Sequence, residues 1–156
     1  MEYIIIFIFL LILSAFFSGT ETAYFHIRKH RKETPEKIKS ILDSPQRLLV
    51  SLLTGNTIVN VSIASLAAYI TAGFADDYTW SKSTLILMEV LVVSVVVLIF
   101  GEILPKMIAI KYSKEYALKM YTPLKIMMFI LSPIAQGFNA ITNLVIKIIP
   151  FRKEKI

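Results

Sequence analysis

The sequence predicts an all-α integral membrane domain: three transmembrane helices, the third kinked, with short cytoplasmic juxtamembrane helices forming a belt. Three observations predict it. Of the 156 residues, 56% are hydrophobic and 18% charged, and the mean hydropathy is +0.67, which leaves too little polar surface for a water-soluble domain of this size. The apolar residues run in long blocks rather than in amphipathic alternation, and a helix needs roughly 20 of them to cross the hydrocarbon layer. Basic residues flank those blocks. The net charge of +6 therefore reads as juxtamembrane lysine and arginine rather than as a nucleic-acid surface.

The first span covers about 3–25. Its start, Met1-Glu2-Tyr3, has no basic region, and the run passes into Ser18-Gly19-Thr20-Glu21 without a small-residue cleavage site. It reads as a retained helix, not a signal peptide. A basic stretch follows with Arg28, Lys29, Arg31, Lys32, Lys37 and Lys39, and Pro35 within it opens a short amphipathic helix over about 35–43. Asp43-Ser44-Pro45 is a start signal for the second span, about 46–74. The connection 75–82 is short and slightly acidic, with Tyr78 and Trp80 suited to a membrane interface. The third span covers about 83–110, and Pro105 near its end predicts a kink.

The apolar stretch 123–149 differs from these. It is interrupted by Ser132-Pro133, Gln136-Gly137, Asn139 and Asn143, and a crossing would leave Arg152, Lys153 and Lys155 outside. It reads as two short amphipathic helices bent near Pro133 and lying at the inner interface, with a true fourth span as the alternative. The basic segment 28–39 and the poorly basic segment 75–82 place the N-terminus outside and the C-terminus in the cytoplasm.

Polar side chains within spans are costly and tend to face a bundle interior or a water-filled path. The first span carries Ser14, Ser18, Glu21 and Thr22 on one face, and the second carries Asn56 and Asn60 one turn apart. The third has Gly101-Glu102 just ahead of Pro105. Proline has no N–H, and its ring crowds the carbonyl four residues earlier, here that of Gly101. A carbonyl released from the ladder beside a carboxylate, at a break in a membrane helix, is how transporters coordinate cations. With serine hydroxyls and asparagine amide oxygens the set is all oxygen, which suits Mg²⁺ or Ca²⁺. Other readings stay open. Glu102 and Lys106 have the i, i+4 spacing of an ion pair, and Asn56 and Asn60 the chemistry of helix–helix glue. Ser14 and Ser18 could bond to their own helix. Glu89 reads as solvated or lightly paired, and His26 and His30 as loop residues without a metal. Ala64, Ala68, Ser62 and Ser65 permit close packing or dimerisation. Cysteine is absent, which excludes disulfides and thiolate sites. With no nucleophile–base pair, P-loop or dinucleotide turn, the chain does not read as an enzyme.

Three stretches, in order on three successive spans, carry a family resemblance: Phe17-Ser18-Gly19-Thr20-Glu21-Thr22-Ala23, Gly55-Asn56-Thr57 with Asn60, and Gly101-Glu102-Ile103-Leu104-Pro105-Lys106. Together they resemble the transmembrane domain of the cyclin M/CorC family of magnesium transporters, over essentially the whole chain. The resemblance implies a homodimer in the cell membrane that exports Mg²⁺ in exchange for Na⁺. It implies ion-site members Ser18, Asn56, Asn60, Gly101 and Glu102, with Ser14, Gly19, Glu21, Pro105 and Lys106 in support. The family's cytoplasmic CBS modules are not among these 156 residues. The alternative function is a membrane anchor that senses Mg²⁺ without transporting it.

Overall fold

A computed structural model describes residues 1–30, 34–74 and 81–148. Its helices are α1 (Glu2–Lys29), α2 (Glu36–Leu42), α3 (Pro45–Phe74), α4 (Lys82–Val96), a π-helical segment (Val97–Ile103), α5 (Leu104–Lys111) and α6 (Ser113–Ile148). The acidic and aromatic residues of the second connection, 76–80, and the basic tail after 148 lie outside the described residues.

The local signals explain most boundaries. α2 begins directly after Pro35, whose carbonyl receives the N–H groups of Ile38 and Lys39. α3 begins at Pro45 in the first helical position, where a missing N–H costs nothing. α4, the π segment and α5 form one continuous 30-residue helix. Just ahead of Pro105 the helix widens into the π segment. The Leu104 N–H returns to the Ile99 carbonyl, five residues back rather than four.

α1 is the hub and packs on α3, the π segment, α5 and α6. It runs antiparallel to α3, as three matched contacts show. Tyr3 meets Tyr69 with ring centroids 5.6 Å apart, Ser14 bonds Asn60, and Phe17 lies over Gly55. The buried stripe of α3 is Leu48, Ser51, Leu52, Gly55, Val59, Ile63 and Ala67, a helical repeat turned toward α1. A side chain at Gly55 would collide with the Phe17 ring, so glycine sets how closely the two spans approach.

The core lies at the end of the bundle where α2 sits. Ile38, Leu48, Leu52 and Leu124 are almost wholly buried there, together with Tyr24. The opposite halves of the spans carry Ile4, Ile5, Phe9, Leu87, Leu91 and Val95 on their exposed outer surface. Such a continuous apolar exterior is compatible with lipid, not with water. α1, α3, the α4–α5 helix and α6 are each long and apolar enough to cross a membrane. The chain is a multi-pass helical membrane protein.

The sequence reading of 123–149 is corrected here. There is no pair of short helices bent near Pro133: α6 is a single 36-residue helix containing both Pro123 and Pro133, so the count of long apolar helices is four, not three. The physical reason is packing. Each proline removes one ladder bond but keeps a helix-compatible φ. Meanwhile Ala117, Leu124 and Leu131, spaced by seven, hold one straight face of α6 against the core. The first turns of α6 cross α1, where the Tyr24 hydroxyl donates to the Ala117 carbonyl at 3.1 Å and Tyr116 lies on Gly19. Its second half lies beside α3, with Arg47 donating to Ser132.

Candidate ion site in the membrane span

Ser14 is the meeting point of three helices. It is wholly buried, and its hydroxyl donates to Asn60 Oδ1 at 2.9 Å. From the third side Gly101 closes in: a Cβ built on Gly101 would lie 2.8 Å from Ser14 Oγ and 3.3 Å from its Cβ. Glycine at 101 is thus what lets the π segment reach α1. The wider π turn and the following Pro105, which is itself buried, place this approach where the helix ladder is already irregular. Pro105 has no N–H to return to the Gly101 carbonyl.

Glu102 is half-buried. With Asn60 and Ser94 it lines an open cleft of about 360 Å³ between α3 and the third long helix, walled by Ile63, Val93 and Val97. Among the described residues no ion pair joins Glu102 to Lys106, and the ion pair present is the exposed Lys39–Glu36 contact at 3.7 Å. The i, i+4 spacing of Glu102 and Lys106 is therefore not used as a salt bridge.

Ser18 and Asn56 each follow, by one residue, the Phe17–Gly55 contact. Ser18 is buried, and its Oγ, like Asn56 Oδ1, has no hydrogen-bond partner among the described residues. Buried polar atoms are ordinarily satisfied, and an exception calls for an explanation such as an ion or ordered water. The structure thus joins Ser14, Asn60 and Gly101 by contact and joins Asn60 with Glu102 in one cleft. It places Ser18 and Asn56 nearby without joining either to that cleft. Of the supporting residues, Gly19 serves the packing of Tyr116, while Glu21 and Lys106 are half-buried. Among the described residues no group of three or more His, Cys, Asp or Glu is arranged to hold a metal. A cation here would rely on hydroxyl, amide and carbonyl oxygens around one carboxylate.

Three features escaped the sequence reading. Ser51 Oγ is a further buried hydroxyl without a partner, and its signal was its place on the stripe with Gly55. The Tyr24 and Tyr116 contacts join α1 to α6 across more than ninety residues, which no local pattern encodes. Glu89, read as solvated or lightly paired, is half-buried, and its Oε2 is covered and has no hydrogen-bond partner among the described residues. It sits on the inward stripe of α4 with Leu85 and Val93.

A polytopic helical membrane domain, with a π-helical segment in one long helix beside a cleft that holds Asn60, Ser94 and Glu102, is the class that these observations define. The chain belongs to the family described as the Cyclin M transmembrane N-terminal domain, which it matches over residues 5–155. It is 28% identical over 153 residues to the UPF0053 inner membrane protein YfjD of Escherichia coli, covering 91% of this chain and 34% of that protein. A UPF0053 protein of Haemophilus influenzae is also 28% identical, over 96% of this chain and 36% of the relative. A chloroplastic DUF21 domain-containing protein of Arabidopsis thaliana is 26% identical, over 90% and 22%. The chain spans about a third of the length of the two bacterial relatives.

The Ser14–Gly101 approach is testable by paired substitution. Gly101→Ala forces Ser14 Oγ to move and strains its bond to Asn60. It should lower stability by about 1–3 kcal/mol, the usual cost of overpacking. Ser14→Ala in the same chain should restore part of that loss, seen as non-additive shifts in thermal unfolding in detergent. Strictly additive shifts would show that the two residues do not touch.

Proposed function

We propose that this domain conducts Mg²⁺ across the membrane as the ion-carrying part of a homodimeric exporter coupled to Na⁺. The observation that carries the reading is the convergence of Ser14, Asn60 and Gly101 beside the Glu102 cleft. Family membership supports it. Glu102 would supply the negative charge, and the Gly101 carbonyl, to which Pro105 has no N–H to donate, a neutral oxygen. Ser18, Asn56 and Asn60 would supply the remaining oxygens. The two unpartnered oxygens of Ser18 and Asn56 fit a ligand role, because such atoms are costly to bury unless something binds them. Ser14 acts as a positioning residue: it fixes the Asn60 carboxamide through one lone pair of Oδ1 and leaves the other free. An all-oxygen set suits a hard cation, and Mg²⁺ sheds its water reluctantly. A single carboxylate among neutral oxygens holds such an ion without trapping it.

Exchange across the membrane needs the cleft to open alternately to each side. The continuous but irregular α4–α5 helix is the element placed to do this, since its π register offers a second hydrogen-bonding arrangement at little cost. For the dimer, the support is the exposed small-residue face of α3, with Ala64, Ser65 and Ala68, which allows close helix approach.

Two measurements test the reading. Mg²⁺ should protect the wild-type chain against protease and heat, and chain in liposomes should move Mg²⁺ detectably by an indicator dye. Glu102→Gln should weaken the protection at least tenfold, judged from losses seen even for residues behind the metal ligands. Protection within about threefold of wild type would refute the site by the same scale. Protection with no flux would assign the domain to sensing. In mild detergent the particle mass should be about twice the 17.7 kDa of one chain. A monomer across several gentle detergents would count against the dimer.

A further inference from the structure

A second cavity shares no wall residue with the Glu102 cleft. It lies between α3 and the second half of α6, holds about 500 Å³, and has walls that include Val50, Leu53, Ile58, Ile134 and Phe138. That volume falls within the roughly 300–1,000 Å³ of small-molecule sites. Its lining is mostly apolar, with Thr54, Thr57 and Thr142 among the wall residues, and its side is open.

One end of this groove is polar. Arg47 stands three residues before Val50 on α3, and Ser132 two residues before Ile134 on α6, so both walls begin at this pair. Arg47 Nη2 donates to Ser132 Oγ at 3.4 Å, and Gln136 Nε2 donates to the same oxygen at 3.3 Å. Arg47 and Gln136 are exposed, and no carboxylate pairs with Arg47 among the described residues. The guanidinium has five N–H donors and uses one here. An unneutralised cation with an amide beside it therefore stands at the mouth of a long apolar groove. Its shape and charge match an amphiphile with an anionic head and a hydrocarbon tail. The end of α3 in question is the one next to the basic segment 28–39, which the positive-inside rule assigns to the cytoplasm. Anionic phospholipids are concentrated in that leaflet, and basic pockets between membrane helices on that side bind their headgroups.

We propose that the α3–α6 groove is a binding site for one anionic phospholipid, its phosphate held by Arg47 and Gln136 and one acyl chain lying between Leu53, Ile58 and Phe138. The guanidinium fork matches phosphate in two-point geometry. The acyl chain then occupies the groove between α3 and α6 and contacts both helices. The site does not depend on the ion reading, because it shares none of the oxygens proposed for the cation.

The test uses the full chain in detergent, with bound lipid counted by native mass spectrometry and stability followed by thermal unfolding. Phosphatidylglycerol should bind and stabilise more strongly than phosphatidylcholine of the same chain length. Arg47→Gln changes an exposed side chain and should leave the fold intact. It should lower phosphatidylglycerol affinity about tenfold and leave the weak phosphatidylcholine binding unchanged, whereas Arg47→Lys should retain much of the preference. Leu53→Trp fills the groove without touching the charge and should abolish retention of both lipids. Soluble glycerol phosphate should not compete, because it has no tail. Equal binding of the two lipids, or wild-type binding by Arg47→Gln or Leu53→Trp, would overturn the proposal. So would competition by glycerol phosphate at concentrations similar to the lipid. A Leu53→Cys variant that forms disulfides between copies in lipid nanodiscs would show that a second copy covers the groove, and would overturn it too.

Discussion

Within hydrocarbon every polar group must find its partner inside the protein, and at the centre of this domain Ser14 meets that demand. Its hydroxyl satisfies Asn60, and its bulk occupies the space that a side chain on Gly101 would need. That one arrangement ties α1 to α3 and to the π segment and so fixes the separation of the three long helices. The Phe17–Gly55 contact repeats the device one turn deeper into the core: a bulky side chain on α1 fills the place of a missing one on a neighbouring helix. Glycine at 55 and 101 is therefore there for close approach and not for an unusual backbone, since no residue has a positive φ among those described.

The same economy of contact bears on α6, which is one continuous helix. Two tyrosines fasten its beginning to α1. Tyr24 of α1 donates to the α6 backbone, and Tyr116 of α6 reaches back to the α1 carbonyl at Ala15. Gly19 makes room for the second of these. Gly19 and Ala15 flank Ser18, so movement of α6 would be felt at α1 close to the candidate ligands. The groove lies between α3 and the far half of α6.

Much of this was legible in the sequence, for physical reasons. The bounds of the three expected spans follow from unbroken apolar length and from prolines at helix starts, and both survive into the structure within a few residues. The candidate residues were legible because a polar group in an apolar run is expensive, and three of them, Ser14, Asn60 and Gly101, do converge. Pro105 marked the place of an irregularity, and a π turn occupies Val97–Ile103 just ahead of it. The reading of 123–149 misled because proline and asparagine were weighed as local breakers. What keeps α6 whole is the seven-residue stripe of Ala117, Leu124 and Leu131 packing on distant parts of the chain, and tertiary packing is invisible to local rules. The Arg47–Ser132 and Tyr24–Ala117 bonds join residues more than eighty positions apart, for the same reason beyond any local pattern.

The central claim is that one carboxylate and a carbonyl to which proline has no N–H to donate, with serine and asparagine oxygens, make a cation site at the π segment. The most direct measurement is anomalous scattering from crystals of the chain grown with Mn²⁺ in place of Mg²⁺, since both favour oxygen ligands. The account predicts a peak bound by the Glu102 carboxylate and the Gly101 carbonyl, with Ser18 and Asn56 oxygens around it. A peak elsewhere in the bundle, or none at this position at concentrations that protect the chain in solution, would contradict it.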